Sequence, residues 1–325
     1  MIVDFVTIHA RWPWARQLGP GIAPGVEFRF GHRAGADWLV VYDDIRTPVT
    51  TDVPKAQRIL FVTEPPGIKT YPAAFLRQFG TIVSPVPLDV PGSRILDQHP
   101  ALPWFMGVRF EADGQRKTVL DLEALRQLKP AGRRKSAIST VISTKSQLPR
   151  HRERLALVEM MSARLGERFA VYGHGFQAVA DKAEAILPFR YHLVLENNDI
   201  PHFWTEKLAD AYLGWALPLY AGCRNVGLDF PSQSLIEIEL ADPARVVETI
   251  EAMLAEDPWE SRLGAIAEAR TRLLEEHNLF AVIARIAAAG EPDLRAKPLR
   301  ETLLPSRESS FAGRLKGITK RLVRR

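Results

Sequence analysis

The residues most able to do chemistry lie in one run, Tyr191-His192-Leu193-Val194-Leu195-Glu196-Asn197-Asn198-Asp199-Ile200-Pro201-His202-Phe203-Trp204-Thr205-Glu206-Lys207-Leu208. An apolar stretch ends in Glu196-Asn197 and a polar loop follows. Thr205 then stands where a helix N-cap is expected, ahead of the apolar stripe Leu208, Ala211, Tyr212 and Trp215. Backbone N–H groups at such a helix start favour an anion. Lys207 would be a cation in the first turn, where it opposes the helix dipole, so its presence needs a second reason. Phosphate binding supplies one. Glu206 beside it suits the hydroxyls of a sugar or ribose. The plain alternative is that Glu206 and Lys207 are solvated first-turn side chains, and the residues alone leave both readings open.

The elements that must hold this run are legible as short β-branched stretches ending in Gly, Pro or Asp. One series covers residues 2–8, 38–42, 58–63 and 81–83; a second covers 137–143, 169–172, 191–195, 217–220 and 235–238. Helical stripes lie between the strands of the second series, one marked by Leu155, Val158, Met161 and Leu165. Alternating strand and helix predict parallel sheets covered on both faces. Further helices are expected over 244–254 and 259–289.

A polar segment at residues 128–135, containing Pro130 and Gly132, separates the two series. The expectation is an α/β chain with a Rossmann-like N-terminal domain over 1–133, a Rossmann-like C-terminal domain over 134–290, and a lead-in and tail over 291–325. Doubly wound sheets bind ligands beyond the carboxyl ends of their strands. The length of 325 residues agrees with two domains of roughly 150 residues each.

Composition excludes several classes. With 46% hydrophobic and 25% charged residues the chain is neither disordered nor fibrous. The single cysteine, Cys223, rules out a disulfide scaffold and reads as a small packing residue. The longest stretch without a charge, residues 211–223, falls short of the ~20 residues that span a bilayer. Residues 1–8 lack a basic leader and read as a first strand, so a cytoplasmic location is expected. The eight histidines show no metal-ligand spacing, and Asp43-Asp44 and Asp121-Leu122-Glu123 read as solvated acids at turns.

The net charge of +5 is uneven. Arg314, Lys316, Lys320, Arg321, Arg324 and Arg325 crowd the last twelve positions, and the remainder is nearly neutral. That distribution argues against a nucleic-acid partner. Phe311, Leu315, Ile318 and Leu322 recur at helical spacing among those cations, so residues 311–325 are expected to form an amphipathic helix suited to an anionic membrane surface. Docking on the protein itself, or a disordered end, is the alternative.

Taken in order, Glu196-Asn197-Asn198, Trp204-Thr205-Glu206-Lys207-Leu208, Ala211-Tyr212 and Leu217-Pro218-Leu219-Tyr220-Ala221-Gly222 resemble the signature of the family 10 glycosyltransferases, the α-1,3/4-fucosyltransferases. The resemblance implies a GT-B fold, two Rossmann-like domains facing a central cleft. It implies inverting transfer from a GDP-sugar, usually GDP-fucose, to a hydroxyl of a lipopolysaccharide or capsule-type glycan, α-1,3-linked. No metal or other cofactor is required in that family.

Residue roles follow from the same resemblance. Glu206 contacts the donor ribose, and Lys207 with Arg154 neutralises the diphosphate, with Arg150 and Arg152 as competitors for the arginine's place. Glu196, Asn197, Phe203, Trp204 and Thr205 complete the donor site, and Gly173 and Gly175 in Tyr172-Gly173-His174-Gly175 are candidate donor contacts. Glu64, in Thr63-Glu64-Pro65-Pro66 after a strand, takes the place of the general base; a strand-terminating residue is the alternative. Phe203 stands where many members carry a tyrosine, Asn198 replaces Ser and Leu195 replaces Phe, departures that bear on the donor sugar. Two other functions keep this frame: transfer from a different GDP-sugar, and nucleotide binding at a membrane surface without turnover. The aromatic residues of Trp12-Pro13-Trp14 and Trp104-Phe105 are candidates for stacking on acceptor sugars or for core packing.

Overall fold

A computed structural model describes residues 1–132, 134–145, 149–290 and 300–309. The amphipathic segment expected at 311–325 lies outside the described residues. The chain divides into two compact units, one comprising Met1–Trp12, Pro20–Ala101 and Leu279–Arg325, the other Pro13–Gly19 and Leu102–Asn278.

The first unit is built on six parallel strands: β1 (Ile2–Thr7), β2 (Glu27–Phe30), β3 (Trp38–Tyr42), β4 (Arg58–Phe61), β5 (Thr81–Ser84) and β6 (Arg94–Asp97), in the order β2-β1-β3-β4-β5-β6. β3 and β4 are buried along their whole length because both faces are covered. On one face Leu39, Val41, Leu60 and Ile82 pack with Phe75 and Phe79. Elsewhere Phe280 meets Phe5, Phe28 and Phe30 at ring separations of 5.8, 4.8 and 6.0 Å. The sheet's order reverses direction between β1 and β3.

The second unit holds β7 (Lys135–Val141), β8 (Phe169–Tyr172), β9 (Phe189–Leu195), β10 (Leu217–Ala221) and β11 (Ile236–Glu237), all parallel, in the order β8-β7-β9-β10-β11. Here the reversal lies between β7 and β9. Helix α1 (Pro149–Leu165) follows β7 and packs against α3 (Pro243–Glu256), while α2 (Glu206–Leu213) links β9 to β10. His192 on β9 is a satisfied core residue, bonded through Nδ1 to Ser139 Oγ at 2.8 Å. Burial, with Lys182 nearby, pulls its pKa down to about 3 and keeps the ring neutral.

The architecture is the expected α/β class, with two Rossmann-like parallel sheets. Three features differ from the expectation. The units part at Ala101/Leu102, ahead of the polar segment at 128–135. Helix Leu122–Gln127 accounts for the difference: Leu122 and Leu125 are buried, and Arg126 pairs with Glu275, so this stretch belongs to the second unit.

The long helix expected over 259–289 is broken. It forms as α4 (Leu263–Thr271), a π turn at Arg272–Glu276, and α5 (Leu279–Ala289). The break is fixed by Asn278, whose buried amide donates to the Gln17 carbonyl at 2.8 Å, and the chain then enters the first unit.

The acids at 43–44 are not solvated. Asp43 and Asp44 are buried and bonded, as described below. Asp121 caps its helix by accepting the Ala124 N–H, and Trp12, Trp14 and Trp104 are all buried, which makes them core residues. Cys223 is buried with its thiol against Asn225 Oδ1, as a packing residue should be.

Candidate functional site

Thr205 is the N-cap of α2: its backbone is extended and its hydroxyl accepts the Lys207 N–H. The carboxylate of Glu196, the first residue past β9, is fully buried beneath this cap. Its Oε1 accepts the Thr205 N–H at 2.7 Å and its Oε2 accepts the Thr205 hydroxyl at 2.8 Å and Lys207 Nζ at 3.1 Å. Lys207 Nζ also donates to Thr205 Oγ1 at 2.9 Å. A first-turn cation that opposes the helix dipole is thus compensated by a buried carboxylate. Burial lowers the Lys207 pKa, but Glu196 and Glu206 outweigh it and raise the ammonium above its ordinary value. Gly222 makes the arrangement sterically feasible, because a Cβ there would sit 2.5 Å from Glu196 Cγ.

Charges alternate outward from this centre. Glu206 lies 3.5 Å from Lys207 and 3.4 Å from Lys182, and Lys182 lies 2.8 Å from Asp210. Burial pushes the Glu206 carboxyl up, yet the two lysines prevail and bring it down to about 2. Asp210 is fully buried on α2 and accepts the N–H groups of Phe105 and Met106 at 2.8 and 2.9 Å. Side-chain exposures of 0% for Glu196, 1% for Asp210 and 21% for Glu206 leave Glu206 as the one carboxylate of the three open to a ligand.

The arginines are resolved by the face of α1 they occupy. Buried positions His151, Arg154, Val158, Met161 and Leu165 recur at helical spacing, so Arg154 sits in the core-facing stripe itself. Its Nη1 donates to Asn197 Oδ1, and its Nε has no hydrogen-bond partner among the described residues. Burial, aided by Arg150, lowers the guanidinium pKa, and Glu196 and Glu206 oppose the shift. Arg150 donates from Nε to the Glu196 carbonyl at 3.3 Å, whereas Arg152 is exposed. Glu196, Asn197, Arg150, Arg154 and Lys207 therefore gather where β7 and β9 part, the place where doubly wound sheets bind anionic ligands. His151 shares the stripe with its Nδ1 likewise without a partner among the described residues, and its pKa is lowered by burial and by Arg154.

Other residues expected at a donor site take part in packing. Trp204 is fully buried, its ring packing on Phe230 at 5.0 Å and on His277 at 5.4 Å while Nε1 donates to Asp229 at 2.8 Å. A ring so enclosed has no face for a ligand, and Phe203 is buried beside it. Gly173 and Gly175 have φ of +115° and +87°, and a Cβ on Gly173 would meet the Ile142 carbonyl oxygen at 2.1 Å. A Cβ on Gly175 would meet the Thr144 side chain at 2.4 Å, so close packing and positive φ fit glycine at both positions.

In the first unit, Glu64 is half-buried in the bend after β4. A cluster absent from the sequence reading stands on the same carboxyl edge. Asp43, just past β3, accepts His9 Nε2 at 3.0 Å, Lys69 Nζ at 2.7 Å and the Tyr71 hydroxyl. Burial raises the Asp43 carboxyl, but these three donors outweigh it and hold it at about 2. Asp44 accepts the backbone and hydroxyl of Ser306, and Lys69 lies 3.2 Å from it. Also unforeseen were Lys182 and Asp210; a carboxylate among Leu208, Ala211 and Tyr212 on a buried helix face was the signal for the latter.

The chain is thus a two-unit α/β protein in which Arg150, Arg154 and Lys207 gather at the switch point of its second sheet. No family model matches it, and no curated protein does. Among solved structures it is similar to an alpha1,3-fucosyltransferase with GDP-fucose, at 14% identity and TM-score 0.46 over 84% of this chain and 90% of that one. It is also similar to an α,α-trehalose 6-phosphate synthase from Burkholderia multivorans, at 9% identity and TM-score 0.44 over 78% and 72%. A third likeness, to the GtfA/B complex, has 11% identity and TM-score 0.46 over 79% and 58%.

Proposed function

We propose that this chain is an inverting glycosyltransferase of the GT-B type that moves fucose from GDP-fucose to a hydroxyl of a lipopolysaccharide or capsule-type glycan, in α-1,3 linkage. The observation that carries the reading is Arg154: a buried guanidinium in the core stripe of α1, beside Asn197, with an Nε that no described residue satisfies. Such a group is costly unless an anion completes it. A diphosphate does so, and Lys207 adds a second charge to the departing GDP, the electrostatic stabilisation this transfer most needs. Glu206, the one partly exposed carboxylate of its cluster, takes the ribose hydroxyls. Glu64, in the bend after β4, takes the part of the general base that removes the proton of the attacking hydroxyl.

Transfer from a different GDP-sugar is the alternative, because Phe203 and Asn198 depart from the residues that many family members carry there. No described helix is long and apolar enough to cross a membrane, and attachment to an anionic cytoplasmic surface falls to residues 311–325. Deleting that segment should release the protein from anionic vesicles without altering turnover.

The deciding experiment is calorimetry with GDP, followed by GDP release from GDP-fucose and a panel of other GDP-sugars, with and without glycan acceptors. Binding with release from one donor supports the reading; binding without release from any of them favours a non-catalytic nucleotide site. Absence of GDP binding overturns the proposal.

A further inference from the structure

Glu206 and Asp210 stand one turn apart on α2, at a spacing where two carboxylates share a helix face and repel. A cation from elsewhere in the second unit is set between them: Lys182 Nζ lies 2.8 Å from Asp210 Oδ2 and 3.4 Å from Glu206 Oε1. Lys182 is itself held in place. It precedes the short helix Ala183–Ile186, and its neighbour Asp181 accepts the N–H groups of Gly107 and Ala183, each at 2.9 Å. Its ammonium also lies 4.9 Å from the centre of the Phe105 ring. Asp210 is fixed in turn by the Phe105 and Met106 N–H groups on Oδ1.

The Lys182–Asp210 pair needs no third member. Burial raises the Asp210 carboxyl, Lys182 opposes the rise, and Glu206 adds to it. Internal packing therefore gives no reason for an acid at 206. Lys182 and Lys207 both meet Glu206 at Oε1, at 3.4 and 3.5 Å, so Oε2 is the oxygen turned away from them. An ionised Glu206 only accepts hydrogen bonds, and a ligand there must bring the donors.

We infer that Lys182 is a positioning residue that fixes Glu206 for the adjacent hydroxyls of a ribose, so that the site selects ribonucleotides over their deoxy counterparts. The inference rests on the glycosyltransferase reading above, which supplies the nucleotide. Without Lys182, Glu206 keeps Lys207 alone, and repulsion from Asp210 turns its carboxylate away from the diol.

The test measures GDP and 2′,3′-dideoxy-GDP by calorimetry, with thermal unfolding as the check on fold, in the full chain and its variants. The unaltered chain should bind GDP about 10- to 100-fold more tightly than the dideoxy nucleotide, as hydrogen bonds to a charged group require. Lys182→Met should lose about tenfold for GDP and stay within about twofold for dideoxy-GDP. Lys182→Met with Asp210→Asn leaves no unpaired buried charge, keeps the acceptor for Phe105 and Met106, and should show the same selective loss. Glu206→Gln should lose the discrimination as well, and adding Lys182→Met to it should cost nothing further for GDP. Equal loss for both nucleotides would make Lys182 a purely structural residue and overturn the inference. So would a folded Lys182 variant with native discrimination, or an unaltered chain that binds GDP and dideoxy-GDP alike. If the unaltered chain binds neither nucleotide, the glycosyltransferase reading itself has failed.

Discussion

Lys207 Nζ and Glu196 Oε2 meet at 3.1 Å beneath a helix cap, and the carboxylate of that pair is entirely shut off from solvent. Removing the lysine strands a buried charge. Lys207→Ala is expected to cost about 3–5 kcal/mol in urea unfolding, and Lys207→Ala with Glu196→Gln distinctly less than the sum of the two single changes. A double-mutant cycle measures the difference. Additive costs would mean that the two groups do not act as a pair.

Arg154 and Arg152 lie two residues apart on one helix with opposite environments. Arg154→Ala should weaken GDP binding by about 10- to 100-fold, the value of one charge-assisted contact, and Arg152→Ala should leave it unchanged. Isothermal titration with GDP reads both. Equal losses would assign the role to the helix's overall charge.

Two carboxyls are held at low pKa, Glu206 from 4.5 to about 2 and Asp43 from 3.8 to about 2. Both bind protons less tightly folded than unfolded, so the stability they contribute is complete above the unfolded values and drains as pH falls from about 5 towards 2. Urea midpoints at pH 6 and pH 3 should differ, with about 2 kcal/mol of the change traceable to Glu206. In Glu206→Gln the fall should be correspondingly shallower. An unchanged slope would remove Glu206 from the acid response.

Trp204 is enclosed by Phe230 and His277 and bonded to Asp229. Trp204→Phe should cost about 1–2 kcal/mol for the lost hydrogen bond and ring volume, and GDP affinity should be unaltered. Chemical denaturation and calorimetry together check it. A large fall in GDP affinity at unchanged stability would return this ring to the donor site.

At Gly173 a methyl group would meet the Ile142 carbonyl oxygen, in a backbone region that disfavours side chains. Gly173→Ala is therefore expected to lower the melting temperature by several degrees, equivalent to about 1–3 kcal/mol. Differential scanning calorimetry measures it.

The buried strands were legible because they are apolar on both faces: Trp38–Tyr42 begins and ends where its residue types say. The two edge strands of the first sheet were not. Glu27-Phe28-Arg29-Phe30 and Arg94-Ile95-Leu96-Asp97 are half-exposed and carry too few apolar residues for a run to stand out. Around the site, Thr205 could be read as a cap because capping is local, and so could the cation at 207 that needed a partner. Asp43 and Asp210 could not, since His9, Lys69, Lys182 and Phe105 reach them from other strands and loops. Paired acids at a turn look solvated until the fold supplies their donors.

The first sheet is completed from the far end of the chain. Phe280 covers Phe5 and Phe28, Glu301–Leu303 pairs antiparallel with Val49–Thr51, and Ser306 bonds Asp44. On a translating ribosome the first hundred residues therefore emerge with the aromatic surface around Phe5 uncovered, and they stay so while the whole second unit is made. The second unit has its full sequence available first and is the one expected to reach its native packing earlier. During synthesis the N-terminal sheet is the segment most in need of a chaperone.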